Sequence, residues 1–433
     1  MTGAFLHSWL PRLLFAAAIL TGVAHLELSG ARAAVAPLTA ADHVAIEAIY
    51  LRTLHEAGAR TGERHWLTNF FAEPVPGGAD AWPYIVRSTG AQMTVGTLYR
   101  DRLVKRGGTW RVEKHEEFPG TVMPPRAHVL PPSNEGAATL TALDVIEMKR
   151  LISRYNLGYD NAAPFDGGVL SSLSFTRDAL FERPGGATRV GRDGAIVQAK
   201  EFQAKTGLHH WDTNYLFDVS PDGEVTSVNY DMQFNVADGG SPVKLNGAGL
   251  LFHKFIRTSE GWLMKYRRYD SPAAVKPMKW PVAGYGITAK ELSSPAAGPG
   301  RLSQADRIEI EQLYARASVA FDAGLEDGAD FARTFTPEGV LVRNGAETRG
   351  RAALTAAAAG NTANPVLHQW LTNLTIDASP DGAAGRVYVL HFTAGDAAKA
   401  VNDVGHFDDR LVRTTDGWRF ARRSYVSELP VAR

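Results

Sequence analysis

Residues 209–223 read HHWDTNYLFDVSPDG, and residues 368–382 read HQWLTNLTIDASPDG. A third version, HWLTNFFAEPVPGG, occupies residues 65–78. After the Asn of each stretch (Asn69, Asn214, Asn373), the chain runs 41, 48 and 45 residues to a Trp that closes a strand–turn–strand. These are Trp110 in KRGGTWRVEK, Trp262 in RTSEGWLMKY and Trp418 in RTTDGWRFAR. Self-similarity at one interval marks a unit copied in tandem. An interval of about 160 residues is the size of a whole domain rather than a solenoid rung.

The segments upstream repeat as well. Asp144 and Asp306 each stand 16 residues before another aspartate, Asp160 and Asp322. Between them apolar residues recur at i, i+4, i+7 and i+11: Met148, Ile152, Tyr155, Tyr159, and Ile310, Tyr314, Ala317, Phe321. That spacing predicts a helix with one face on a core. The first copy begins likewise with Asp42, Ile46, Tyr50 and Thr53, but reaches its Asn after 27 residues, against 70 and 67 in the others. It therefore lacks a second helix and a first strand, and Gly58 stands where the others have Asp160 and Asp322.

The expected organisation is three units: a truncated one at 40–118 and full ones at 141–271 and 304–428. Residues 119–140 and 272–303 are Pro- and Gly-rich linkers, the second long enough to lie along a neighbouring unit. Residues 1–33 read as an export signal. Arg12 precedes the short apolar run Leu13 to Ala24, and Ala31-Arg32-Ala33 offers a cleavage site. This predicts a periplasmic or secreted protein with no membrane attachment once the signal is removed, the rival being an uncleaved anchor.

Lys and Arg number 46, and so do Asp and Glu, so the formal net charge is zero. With no basic run, nucleic acid is not an expected partner. The chain has no cysteine, so disulfides are excluded and each unit depends on its packing. No phosphate loop, dinucleotide fingerprint or Gly-x-Ser-x-Gly elbow is present. No cofactor is expected. A metal set from His209, His210 and Asp212 is disfavoured, because adjacent strand residues face opposite sides.

The order of elements in a full unit is long helix, short helix, strand, helical segment, then antiparallel strands joined by Asp-Gly turns. This predicts an α+β fold of three tandem cone-shaped units, each with helices packed on a curved antiparallel sheet around an apolar pocket. The units are expected to pack on each other, as a trimer or a dimer plus one, and a homo-oligomer is a further option.

The chain resembles the SnoaL-like branch of the nuclear-transport-factor-2-like superfamily, which includes polyketide cyclases, scytalone dehydratase and ketosteroid isomerase. The carrying residues are Tyr159-Asp160, Phe321-Asp322, Phe175-Thr176-Arg177-Asp178, Phe335-Thr336-Pro337-Glu338 and the His…Thr-Asn strands. Gly405 to Leu411 and Asp416 to Phe420 match as well. The resemblance spans the second and third units and part of the first. It speaks to fold more than to reaction, since this fold hosts many chemistries.

Asp160 ends a helix whose apolar stripe points inward, and a carboxylate between apolar walls can shuttle protons. The resemblance implies that Tyr159-Asp160 and His210 match the scytalone dehydratase pattern. His210 lies four residues before Asn214, which predicts both on one face of a strand, with His209 on the other. Unit three has Gln369 in the place of His210, with His368 displaced by one. Its secondary candidates are Asp322, His368, His391 and Asp409. Asp409 matches a carboxylate used by SnoaL-like cyclases, and His253 holds that position in unit two. Unit one keeps His65, Tyr99 and Asp101 and reads as structural. Trp66, Trp211 and Trp370 read as packing residues, and Arg267 and Arg423 as solvated or paired on the sheet.

The leading expectation is a lyase or isomerase, most simply a dehydratase, acting without a cofactor on a small apolar, aromatic or polyketide-like molecule. Asp160, His210 and Tyr159 would carry the reaction. The alternative is a binding or scaffolding protein that kept the fold and lost the chemistry.

Overall fold

Each of the three long helices starts at a Ser/Thr-x-x-Asp capping box. In the first, Asp42 Oδ2 accepts the Thr39 backbone N–H at 3.1 Å, while Thr39 Oγ1 accepts the Asp42 N–H at 3.2 Å. Thr141 with Asp144, and Ser303 with Asp306, repeat the arrangement. The other carboxylate oxygen of each aspartate accepts an indole N–H from a closing Trp. The distances are 2.9 Å for Trp110 to Asp42, 2.8 Å for Trp262 to Asp144 and 3.0 Å for Trp418 to Asp306. Lys105, Arg257 and Arg413 complete the three sites. The repeated Asp and the repeated Trp are thus one device, which ties the start of a helix to the last hairpin of its own sheet.

These bonds hold the Asp42 and Asp306 carboxyls below the ordinary range although burial opposes it. A carboxyl whose pKa is depressed by folding adds stability above its unfolded pKa and loses it as pH falls. Thermal stability is therefore expected to drop as pH is lowered through about 4 toward 2. Asp306→Asn should flatten that dependence in a Tm-versus-pH series; an unchanged slope would contradict the assignment.

The computed structural model describes residues 35–61, 63–119, 140–160, 168–182, 188–203, 208–219, 224–236, 243–270, 292–293, 300–323, 325–361, 367–394 and 399–427. The signal and its cleavage site lie outside the described residues, as do most of both linkers. Repeat one is α1 (Ala40–Thr61) followed by β1 (Arg64–Val75), β2 (Gly78–Thr89), β3 (Gln92–Arg106) and β4 (Thr109–Pro119), a four-stranded antiparallel meander.

Repeat two opens with the two-residue β5 (Leu140–Thr141), α2 (Ala142–Asp160) and α3 (Val169–Ser172). It continues through β6 (Phe175–Glu182), β7 (Thr188–Val190) and α4 (Gly191–Gln203). Its meander is β8 (Leu208–Val219), β9 (Val225–Val236), β10 (Val243–Thr258) and β11 (Gly261–Asp270). The sheet order is β7-β6-β11-β10-β9-β8, with β6 parallel to β11 and the remaining pairs antiparallel.

From the second linker, β12 (Leu292–Ser293) pairs with β5 at the entry to repeat two. Repeat three has the topology of repeat two. Its helices are α5 (Gln304–Ala323), α6 (Ala329–Arg333) and α7 (Arg351–Asn361). Its strands are β13 (Phe335–Arg343), β14 (Ala346–Arg349), β15 (Leu367–Ser379), β16 (Gly382–Ala394), β17 (Lys399–Thr414) and β18 (Gly417–Ser427). Repeat one has no counterpart of β6 and β7, in keeping with its short Asp-to-Asn spacing.

The Thr-Asn of the repeated motif marks a β-bulge in β1, β8 and β15. Asn214 and Asn373 adopt φ of 55° there, a left-handed conformation that Asn tolerates better than most residues. The bulge turns the amide out of the sheet. Asn214 therefore does not share a face with His210, contrary to the simple alternation. It donates to the Gln369 carbonyl at 2.8 Å and accepts the Leu371 N–H at 2.9 Å. Asn373 likewise donates to the His65 carbonyl at 2.8 Å and accepts the Leu67 N–H at 2.8 Å. Asn69 donates to the His210 carbonyl. Each repeat thus grips the next, and the third grips the first, as in a closed ring, with Asn69 making only the donor half of the contact.

The outward faces of the three sheets bury one another along this ring. Trp211 lies 6.2 Å from Trp66 and 6.3 Å from Trp370, between ring centroids. Around them Tyr84, Tyr230, Phe234, Tyr388 and Phe392 form a core shared by all three repeats. Separate cores fill the inner side of each sheet against its own helix.

Candidate active site

Asp160 sits at the last turn of α2, facing the first residues of β8. Its Oδ2 accepts the His210 backbone N–H at 2.7 Å, and its Oδ1 lies 2.5 Å from His210 Nδ1. Both side chains are buried. Burial pushes the His210 imidazole down, but Asp160 and Asp231 outweigh it and raise its pKa to about 9. The ring is therefore an imidazolium at neutral pH, and the proton of the pair rests on His210. Tyr159 packs edge-on against it at 5.2 Å. The three principal sequence candidates are in one place.

His210 and Asp212 lie on the same face of β8, two residues apart and before the bulge. Asp231 is directly opposite Asp212 on β9. Asp212 Oδ2 accepts the Asn156 amide at 2.6 Å. Burial and the neighbouring Asp231 raise the Asp212 carboxyl well above the ordinary range. Arg267 on β11 is only 5% exposed. It lies 4.8 Å over the Tyr155 ring, and the charges of Asp231 and Asp212 act on it. Asn229 and His253 complete this inner face, with His253 Nδ1 3.2 Å from Ser227 Oγ. Burial and Arg267 push the His253 pKa down, which keeps its ring neutral. The interior of repeat two is thus more polar than an apolar pocket with a few polar groups.

Arg267 is not solvated, and neither is Arg423, which is 1% exposed with its guanidinium 3.8 Å over the Phe407 ring. The sequence signal for an inward Arg was period-two alternation from the closing Trp, which a bulge in each of the last two strands disrupts. Asp212 was visible as the lone acid in HWDTN against HWLTN and QWLTN.

In repeat three the helix-end aspartate makes part of the same arrangement. Asp322 Oδ2 accepts the Gln369 N–H at 2.7 Å and the Tyr230 hydroxyl at 2.9 Å, with His368 Nδ1 3.9 Å away. Tyr230 comes from repeat two. Its counterpart in repeat one, Tyr84, stacks at 4.7 Å on His209, whose Nδ1 is 4.0 Å from Asp160 Oδ2. Burial and Asp160 raise the Tyr84 hydroxyl well above its ordinary pKa. The truncated repeat thus lends a tyrosine to the surroundings of Asp160. His209 faces away from His210, and no group of three or more His, Cys, Asp or Glu among the described residues could hold a metal ion.

The other secondary candidates lie deeper in repeat three. His391 Nδ1 is 3.8 Å from Asp403, and burial lowers its pKa. Asp409 is raised to about 7, by burial and against the nearby Arg423. At the equivalent position of repeat one, Asp101 accepts the Tyr50 hydroxyl at 2.8 Å and lies 2.6 Å from His115 Nδ1.

The SnoaL-like domain family matches residues 141–268 and 303–424, more than half of the chain. Among solved structures the chain is similar to a Mycobacterium tuberculosis protein of unknown function, with 28% identity over 28% of this chain and 72% of that one, at a TM-score of 0.27. It is similar to a nuclear-transport-factor-2-like protein with a cystatin-like fold from Novosphingobium aromaticivorans, with 26% identity over 29% of this chain and 84% of that one, at 0.27. A putative scytalone dehydratase from the same organism aligns at 16% identity over 29% of this chain and 83% of that one, at 0.25. No curated protein matches the sequence.

Proposed function

The chain belongs to the SnoaL-like domain family, and on that premise we propose that repeat two is an acid–base enzyme, a dehydratase or isomerase of small molecules. The observation that carries this reading is the buried 2.5 Å Asp160–His210 contact, present only in repeat two among the described residues. Repeat three places an aspartate against the same strand but has Gln369 where the imidazole would be.

His210, charged in the resting state, is the proton donor to a leaving hydroxyl or a carbonyl oxygen. Asp160 fixes the ring and balances its charge, and Tyr159 orients the substrate oxygen. Removing a proton from carbon needs a base, and the carboxyl pair Asp212–Asp231 faces the same interior. In a dehydration, one proton passes from carbon to this pair and one from His210 to the departing hydroxyl, which leaves as water. Return of the first proton to His210 resets the site. The polar lining favours an aromatic or polyketide-like substrate that carries hydroxyl and carbonyl groups. Export is part of the proposal and rests on Arg12, the run Leu13 to Ala24, and Ala31-Arg32-Ala33.

The test is proton exchange in deuterated water. β-Hydroxy ketones on aromatic scaffolds are expected to exchange their α-hydrogen, or lose water, in the presence of the protein and not with His210→Ala. The scaffold reading has one observation in its favour: the Asp322–Gln369 contact shows that a helix-end aspartate can serve to hold a strand. Ligand binding with no exchange across the series would favour that reading.

A further inference from the structure

The long helices and the first strand of each meander line a cavity of about 590 Å³ that opens to solvent, within the ~300–1,000 Å³ range of small-molecule sites. Its lining follows the threefold order of the repeats. Glu47, Lys149 and Glu311 each lie five residues beyond a capping aspartate, and all three line it. Thr68, Thr213 and Thr372 also recur on the lining, but at three further sets of equivalent positions repeat two differs in kind. Ser153 stands against Leu51 and Ala315, Asp212 against Leu67 and Leu371, and Tyr215 against Phe70 and Leu374. At these three positions repeats one and three are apolar and repeat two is polar, while Thr68, Gln304, Thr372, Asn373, Thr375 and Asp377 add polar groups elsewhere on the wall.

A seam selected for packing alone would be apolar in all three sectors, since a buried polar group without a full set of partners is costly. Asp212 is 3% exposed, and its Oδ1 has no hydrogen-bond partner among the described residues. The charges are also unequal. Lys149 Nζ bonds Glu311 Oε2 at 2.8 Å, and about a quarter of each side chain remains accessible. Glu47 is a second carboxylate for that single ammonium. Burial pushes its carboxyl up, Lys149 pulls it down and Glu311 pushes it up again, with a raised pKa as the result. Of the other cations on the lining, Arg52 is exposed and Arg307 donates to the Ile376 carbonyl at 2.7 Å.

We propose that this cavity binds a small amphipathic ammonium ion, with its charge against Glu47 and its hydrocarbon body against Leu51, Leu67, Phe70, Leu371 and Leu374. The polar sector of repeat two receives the remaining N–H groups. The site shares Asp212, half of the carboxyl pair assigned above as the base, and uses none of Asp160, His210 and Tyr159; the charge preference and the Glu47 variant test it independently of the acid–base reading.

Cyclohexylammonium, cyclohexanol and cyclohexanecarboxylate match in shape and differ in charge. Calorimetry and thermal unfolding of the full chain at pH 7.5 are expected to show binding and a raised Tm with the amine, and at least tenfold weaker binding of the other two. Glu47→Gln keeps shape and should weaken the amine at least tenfold, while the unliganded variant matches or exceeds the wild-type Tm. In crystals soaked with 4-bromobenzylammonium, the bromine anomalous signal should lie in the cavity, which decides the matter if Glu47→Gln does not fold. Equal or tighter binding of the alcohol or acid, an amine affinity unchanged by Glu47→Gln, or bromine located elsewhere would each overturn the proposal.

Discussion

Turnover is expected to fall ~10²–10⁴-fold in Asp160→Asn and in His210→Ala, the usual value of a general acid–base group, and to persist in Asp322→Asn. The asparagine keeps an acceptor for the His210 backbone N–H and removes the charge that holds the imidazolium. Burial then acts on His210 with less opposition, and its pKa falls from about 9. Asp160→Asn should accordingly shift the alkaline limb of the pH–rate profile to lower pH, which a purely structural aspartate would not do. The double variant should lose little more than either single one, because paired groups act as a unit.

The same pair makes a stability prediction with a definite sign. The folded pKa of His210 lies above the ordinary value near 6.5, so its contribution is complete below that value and is lost as pH rises through about 9. Asp322→Asn is the control, because it alters the matching strand contact in a repeat without the imidazole. Full activity in Asp160→Asn together with loss in Asp322→Asn would move the active site to repeat three, where Asp409 and His391 are the buried groups available.

Trp211→Ala is expected to be the most damaging packing change, costing ~3–5 kcal/mol as large-to-Ala core substitutions do. Trp211 is fully buried and touches Trp66 of repeat one, Trp370 of repeat three and Phe234 of its own sheet. The cavity would open where all three repeats meet, so the loss should appear in the unfolding of the whole chain. Trp211→Phe should recover part of it. Calorimetry is expected to show one cooperative transition in the wild type, shifted as a unit by the substitution. Three resolved transitions, with only one displaced by Trp211→Ala, would show that the repeats unfold independently and that the shared core contributes little.

Much of this architecture is local, and local patterns are legible in sequence. Helix periodicity, capping boxes, turn residues and the Trp-x-Thr-Asn strands specify three α+β units and the shortened first one. The inward stripe of the helix also points to Asp160, because helix ends are set within a few residues, whereas His210 was singled out by the resemblance to the scytalone dehydratase pattern. What remained hidden depends on contacts between separate elements of the chain or on a change of register. One bulge was enough to turn Asn214 from the face of His210 to the seam between repeats, where Asn373 makes the equivalent contact. Bulges likewise masked the inward direction of Arg267 and Arg423. Tyr84 and Tyr230 acquire meaning only when an aspartate of the next repeat approaches them. The charge of His210 rests first on Asp160, 50 residues away, and then on Asp231, brought near by the pairing of β8 with β9. Sequence alone determines which elements form and where the chemistry-bearing residues stand on them. Charge state, partnership and the cavity between the repeats are properties of the assembled structure, because electrostatics and packing act through space rather than along the chain.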